Sequence, residues 1–253
     1  MVDTVKAEHI DGVNVITINR PEVRNAVNPE TAALLKAAFL AGEENDDINV
    51  HILTGADGHF CAGADLKAVA NQENFEKQGP MGPSWLNLTK PSIAAVEGNA
   101  VAGGLELACF CDLRVASETA VFGVYCRRWG VPLIDGGTVR LPRLIGQSRA
   151  MDMILTGRPV HAEEALAIGL ANRTAPAGGA LKAALELAGL IKSFPQVCMR
   201  NDRESALAQW SLSEAEALKL EARLGRESLK AGTAQGAARF VSGKGRGGDF
   251  GDI

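Results

Sequence analysis

Between Ser92 and Cys111 the chain carries only two charged side chains, Glu97 and Glu106. Glutamate is almost never fully buried without a partner or a function, and Glu106 stands inside Leu105-Glu106-Leu107-Ala108-Cys109-Phe110, apolar on both sides. A carboxylate in such surroundings holds its proton more readily than a solvated one, which suits a group that accepts and returns a proton near neutral pH. Two plainer readings stand beside this one: a Glu on a helix face turned to water, or one paired with a nearby arginine. Glu97, just before Gly98 at a strand end, reads as a solvated turn residue.

Gly103 and Gly104 precede Glu106 where a helix should begin. The first amides of a helix lack internal partners and carry partial positive charge, so a glycine there leaves its N–H open to an approaching carbonyl oxygen. That is half of an oxyanion hole. The other half must come from another segment, and Cys61-Ala62-Gly63-Ala64-Asp65, a small-residue turn before a helix, is the best candidate. Either segment alone could equally be a plain turn or a tight packing contact.

Other chemistries find no template. There is no GxSxG elbow, no Walker A loop, no HExxH and no Cys/His spacing for a metal. A GxGxxG pattern at 243–248 follows no strand and opens no helix, so dinucleotide binding is not indicated. His9, His51, His59 and His161 lie in separate segments without a triad context.

The elements that must position these residues follow from pattern. Val5 to Ile10 and Val13 to Ile18 flank Asp11-Gly12, a hairpin signal. Asn28-Pro29-Glu30 reads as an N-cap with Pro at N1, opening a helix to about Glu44. Strands are expected at 50–54, 92–96 and 113–116, a polar helical stretch from 67 to about 88, and a helix starting at 105. Strand, glycine turn, helix, strand is α/β grammar. Beyond 138 the pattern is helical, with an extended piece at 171–174 and long helices at 180–192 and 213–229. The chain therefore divides into an α/β core, 1–190, and a C-terminal helical region, 191–253, expected to be an assembly device.

The 253 residues are 46% hydrophobic and 22% charged, with mean hydropathy +0.02, an ordinary folded chain without a membrane span. Net charge is −4 and no basic run occurs, which disfavours nucleic acid and anionic membrane as partners. Arg239, Lys244 and Arg246 read as a solvated tail or a contact for a phosphate-bearing ligand. Five cysteines without a CxxC pair suggest reduced thiols in a cytoplasmic protein. The N-terminus lacks the pattern of a secretory signal.

Along most of its length the sequence resembles the crotonase superfamily. The matching pieces include Asn19-Arg20-Pro21-Glu22 with Asn25-Ala26, Phe60-Cys61-Ala62-Gly63-Ala64-Asp65-Leu66, Ala95-Val96-Glu97-Gly98, Ala102-Gly103-Gly104-Leu105-Glu106, Gly136-Gly137-Thr138 and Arg140-Leu141-Pro142, in order. The resemblance implies a spiral of ββα units with a helical C-terminal trimerisation region, a homotrimer or a hexamer of two trimers, and an acyl-CoA substrate, with no cofactor apart from the coenzyme A of the substrate. It further implies that the N–H groups of Ala64 and Gly103 bind the thioester oxygen and that Glu106 does acid–base work. Arg24, Asn25, Ala26, Ala62, Gly63, Asp65 and Leu66 would line the CoA path, and the acyl pocket would draw its walls from 67–90 and the helical tail.

In one place the chain departs from that pattern. Two-glutamate hydratases of the superfamily carry a second Glu shortly after the Phe-Gly motif, where this chain has Cys126 in Phe122-Gly123-Val124-Tyr125-Cys126. A thiol does not replace a water-polarising carboxylate. Asp135 stands where the dienoyl-CoA isomerases of the superfamily look similar and use an Asp; as an alternative it is a turn residue or helix N-cap before Gly136. Arg127 and Arg128 are possible ion-pair partners of Asp135 or Glu106. The expectation is an enoyl-CoA hydratase, with an enoyl- or dienoyl-CoA isomerase and a non-catalytic acyl-CoA-binding homologue as alternatives.

Overall fold

A computed structural model describes residues 3–248 and 251. The chain falls into two units, one ending at Ala188 and one beginning at Gly189.

In the first unit, strands β1 (Val5–Ile10) and β2 (Val13–Ile18) form the hairpin. Its turn residues Asp11 and Gly12 both have positive φ (46° and 74°), the conformation for which Asp-Gly is suited. Helix α1 (Pro29–Glu44) begins as the sequence predicts, with the Asn28 side chain accepting from the Thr31 N–H at 2.9 Å. Strand β3 (Val50–Gly55), the short helix α2 (Leu66–Ala70) and strands β4 (Ser92–Val96) and β5 (Asn99–Val101) lead to helix α3 (Gly103–Phe110). Beyond it come β6 (Leu113–Ser117), β7 (Val121–Gly123), α4 (Gly137–Ile145), α5 (Gln147–Thr156), β8 (Val160–His161), α6 (Ala162–Ala167), β9 (Arg173–Ala175) and α7 (Ala180–Ser193), which crosses the boundary between the units.

One sheet has the order β1-β2-β3-β4-β6-β9, parallel except for the hairpin. Its central strands are buried on both faces and mostly apolar, as parallel strands covered on both sides are. A smaller sheet, β5-β7-β8, stands apart from it. Helix α3 is anchored at its C-terminal end by Arg114, which is fully buried and donates to the carbonyls of Ala108 (3.2 Å) and Cys111 (2.6 Å); a cation there complements the negative end of the helix.

Two expectations change. The stretch 67–88 is not one helix: after α2 and the Asn71 turn only Pro83–Trp85 is helical, a single 3-10 turn, because Gly79 and Gly82 take positive φ and Pro80 and Pro83 interrupt the amide ladder. Glu97 is half-buried and has structural partners rather than water alone. Its carboxylate accepts from the N–H groups of Gly178 (3.2 Å) and Ala180 (2.8 Å) and so caps α7.

The second unit contains α8 (Gln196–Ala208), α9 (Glu214–Ser228) and α10 (Ala234–Val241). Ser213 and Glu216 form a reciprocal capping box at the start of α9. The Asn201 side chain links α8 to α9 by donating to the Leu224 carbonyl and the Ser228 hydroxyl, each at 3.1 Å. The glycine-rich 243–248 stretch follows α10 and itself contains one 3-10 turn, Arg246–Gly248.

Candidate active site

Glu106 sits in the first turns of α3 and is 2% exposed. Its carboxylate is not left alone. Oε1 accepts from the backbone N–H of Asp135 at 2.9 Å and from that of Gly137 at 2.8 Å. Gly137 opens α4, so Glu106 lies at that helix's positive end, and a Cβ on Gly137 would come within 2.9 Å of the carboxylate. Glycine is needed there by contact rather than by conformation. Burial raises the Glu106 pKa to about 7, opposed by the two N–H donors and the Arg140 charge and assisted by the Asp135 charge; desolvation wins because the whole carboxyl is withdrawn from water.

Glu106 opens on a cavity of about 590 Å³ whose lining residues all fall between Arg24 and Asp135. Among the peptide N–H groups on its wall, those of Ala64 and Gly103 have no acceptor among the described residues. Each has a local cause. Val27 bridges Ala64 by donating to the Gly63 carbonyl and accepting from the Asp65 N–H, both at 2.8 Å, and this pattern skips the Ala64 N–H. Gly103 is the first residue of α3, where no carbonyl lies one turn back. Just before it, Ala102 holds φ 55°, ψ −124°, a conformation costly for a residue with a Cβ. The two segments are close-fitted: a Cβ on Gly63 would lie 2.8 Å from the Ala102 Cβ and 2.9 Å from the Gly103 nitrogen, and one on Gly104 would lie 2.1 Å from the Cys61 carbonyl oxygen. The Cys61–Ala100 bridge holds the loop against β5.

Asp135, 2% exposed, also reaches the cavity. It does not cap α4, whose N-cap is Gly136. One carboxylate oxygen accepts from the Met81 N–H (3.0 Å) and from the Ser84 hydroxyl. Burial raises its pKa, against those two hydrogen bonds and the Arg140 charge. Cys126 lines the cavity too, and burial, then the charge of Glu106, raise its pKa. The thiol is thereby kept protonated.

Of the residues expected along the CoA path, Arg24, Ala62 and Leu66 line the cavity, while Asn25, Ala26, Gly63 and Asp65 do not. Those four hold the loops together instead. The buried Asn25 side chain accepts from the Arg20 N–H (2.9 Å) and donates to the carbonyls of Ala56 (2.8 Å) and His59 (2.6 Å). Asp65 caps α2 and pairs with Arg20 at 3.0 Å, and the same guanidinium donates to the Ala26 carbonyl at 2.6 Å. Arg127 and Arg128 pair with neither carboxylate: Arg127 donates to the Ile154 carbonyl (3.1 Å), and Arg128 lies over the Tyr125 ring at 4.6 Å. The 67–90 stretch does supply wall, through Val69, Phe75, Pro80 and Met81. Sequence reasoning missed Met81, Ser84 and Arg140, which touch the site only through backbone groups or across more than fifty residues of chain.

A buried acid with a pKa near 7, two unengaged N–H groups and an apolar cavity suit stabilisation of a carbonyl that gains negative charge while a proton moves beside it. The family model for enoyl-CoA hydratase/isomerase matches residues 8–244. The chain belongs to that family. Among the relatives of this hydratase/isomerase chain are enoyl-CoA hydratase EchA19 of Mycobacterium tuberculosis, 40% identical over 221 residues covering 83% of each chain, and crotonyl-CoA hydratase of Syntrophomonas wolfei, 35% identical over 81% of each. The crystal structure of enoyl-CoA hydratase EchA1 from Mycobacterium marinum superposes with a TM-score of 0.90 at 35% identity, covering 94% of this chain and 96% of that one. The crotonase-like α/β architecture with a helical C-terminal region is thus the architecture of this hydratase/isomerase chain. Among the described residues no helix is long and apolar enough to cross a membrane.

Proposed function

We propose that this hydratase/isomerase-family enzyme adds water across the double bond of a 2-enoyl-CoA thioester. The observation that carries the reading is the placement of buried Glu106 on the same cavity wall as the unengaged Ala64 and Gly103 N–H groups. The thioester oxygen rests on those two amides. Ionised Glu106 takes a proton from water as the water oxygen bonds to C3, and the π electrons pass through C2 to the thioester oxygen. The enolate then collapses as C2 takes a proton from a carboxyl group, and Glu106 and Asp135 are the two available. Two fixed donors stabilise the enolate without reorganising, and each is worth ~10²–10³ in rate in comparable acyl-transfer sites.

A second reading, double-bond migration, is favoured by one observation: among the described residues Asp135 is the only other carboxylic acid on the cavity wall, while Cys126 stands where the family resemblance puts the second acid of two-glutamate hydratases. The deciding experiment incubates the protein with enoyl-, dienoyl- and 3-hydroxyacyl-CoA thioesters while following absorbance and product mass. Hydration products support the first reading and isomers the second. Tight binding without turnover would make the chain an acyl-CoA-binding homologue.

The protein is further proposed to act in the cytoplasm in fatty acid metabolism, without a cofactor, and to assemble as a trimer or as a hexamer of two trimers. Assembly is supported by large apolar side chains exposed on the helical unit, among them Trp210, Leu218, Leu229 and Phe240, which a folded monomer seldom leaves in one region. Light scattering at micromolar concentration tests it, and a monomer contradicts it.

A further inference from the structure

Arg140 has no place in the reaction just described, yet it is among the most committed side chains near it. It projects from the first turn of α4 and lies over the Phe110 ring at 5.5 Å. Its guanidinium donates to two carbonyls from different loops, to Asp135 at 2.9 Å through Nη1 and to Ser84 at 2.6 Å through Nη2. The loops it ties are the ones that hold both carboxylates. The turn before α4 presents the Asp135 and Gly137 N–H groups to Glu106, and the 81–84 segment presents the Met81 N–H and the Ser84 hydroxyl to Asp135. A third tie runs from Trp85 Nε1 to the Ile134 carbonyl at 3.2 Å.

We propose that Arg140 is a positioning residue for the reaction: by bridging the Asp135 and Ser84 carbonyls it holds the turn 134–137 in the arrangement that aims two backbone N–H groups at Glu106. A planar guanidinium reaches two divergent carbonyls at fixed spacing, which an ammonium on a shorter stem does not reproduce. Without it, the carbonyls of two buried residues, Ser84 and Asp135, lose a donor, and the turn relaxes to recover one. The ionisable groups facing Glu106 are Cys109 from its own helix, Cys126, Asp135 and Arg140. Of these only Arg140 is cationic. Losing it therefore acts twice in one direction, removing positive charge and loosening the N–H donors that favour the anion, so Glu106 should hold its proton to higher pH.

This inference rests on the proposed role of Glu106, and its test separates the two. The variants Arg140→Met, Arg140→Lys and Glu106→Gln are compared with the unaltered enzyme for kcat, KM and the pH profile of kcat/KM, per folded site counted with a non-reactive acyl-CoA. Expected for Arg140→Met are a kcat lower by ~10–100-fold, KM within about threefold, and an acid limb displaced upward by ~0.5–1 pH unit. Arg140→Lys should keep more of the limb's position but lose at least about fivefold in kcat. A purely structural arginine would instead lower the melting temperature and leave kcat per folded site and the acid limb where they were, and that result overturns the proposal. Should Arg140→Met fail to fold, Arg140→Lys alone decides on the same two readouts. Inactive Glu106→Gln beside wild-type-like Arg140 variants removes only the role of Arg140; active Glu106→Gln removes both.

Discussion

Asp135 and Glu106 meet through the chain and not through their carboxyl groups: the Asp135 N–H donates to Glu106 Oε1 at 2.9 Å, while the Asp135 carboxylate accepts from the Met81 N–H and the Ser84 hydroxyl. The two acids therefore share one wall of the cavity with separate sets of donors. A proton on one is not held by the other, although the charge of Asp135 still raises the Glu106 pKa.

Glu106→Gln should lower kcat by ~10²–10⁴ with acyl-CoA binding nearly unchanged, the signature of an interaction made in the transition state by a positioned acid–base group. Glutamine preserves the volume and an acceptor for the Asp135 and Gly137 N–H groups. Steady-state kinetics with a calorimetric Kd for a non-reactive acyl-CoA checks this, and wild-type-like turnover contradicts it.

The pH dependence follows from the same group. With Glu106 as base in hydration, kcat/KM should rise with pH through about 7, and that limb should vanish in Glu106→Gln. Stability should move oppositely. The folded pKa, about 7, lies above the ordinary 4.5, so the folded chain binds the proton more tightly than the unfolded one. The contribution of Glu106 is present below about 4.5 and lost as the pH rises through about 7, on the order of 3 kcal/mol across that window. Thermal melts at about pH 5 and about pH 8 should show Glu106→Gln gaining on the wild type at the higher pH; a constant difference would argue against a raised pKa.

For Asp135 the structure removes the helix-cap explanation and leaves a buried, cavity-facing acid. If it supplies or receives a proton, Asp135→Asn should cut turnover about as deeply as Glu106→Gln, and the double variant should be little worse than either, because groups acting as one unit are non-additive. Asparagine still accepts from Met81 and Ser84, so the melting temperature should change little. Cys126→Ala should be nearly silent. Unchanged kcat in Asp135→Asn would leave Glu106 as the sole acid–base residue.

Gly103→Ala and Gly104→Ala separate contact from conformation at the start of α3. A Cβ on Gly104 strikes the Cys61 backbone carbonyl at 2.1 Å, whereas one on Gly103 strikes the Met81 sulfur at 2.7 Å. Backbone cannot step aside as a flexible thioether can. Gly104→Ala should therefore destabilise by at least ~1–3 kcal/mol and lower kcat by spreading the two N–H donors, while Gly103→Ala should cost less stability. Paired denaturant melts and kcat values test the order, and the reverse order would refute the packing argument.

Much of this protein is determined by local signals in its sequence. The Asp11-Gly12 turn, the Asn28 cap with Pro29, the apolar run 92–96 and the charge-poor stretch around Glu106 each act over a few residues, and each is where the sequence puts it. So is the capped helix from Glu214 to Ser228, whose Ser213 and Glu216 satisfy each other without help from elsewhere.

What the sequence does not determine is whatever depends on a partner distant in the chain. Glu97 reads as exposed because its partners, Gly178 and Ala180, lie eighty residues on. Asn25 and Asp65, which the resemblance puts along the CoA path, do not line the cavity, and their side chains are spent on Ala56, His59, Lys67 and Arg20. Ser84 gives no signal and Arg140 enters only as part of a matching motif, since a hydroxyl in a loop and an arginine on a helix look solvated until the fold brings the Ser84 and Asp135 carbonyls within reach of one guanidinium. The type of chemistry follows from Glu106, from Gly103 and Gly104 before it, and from the family resemblance of the motifs around them; the protonation of that carboxylate follows from burial and from N–H donors that only the packed chain can aim at it.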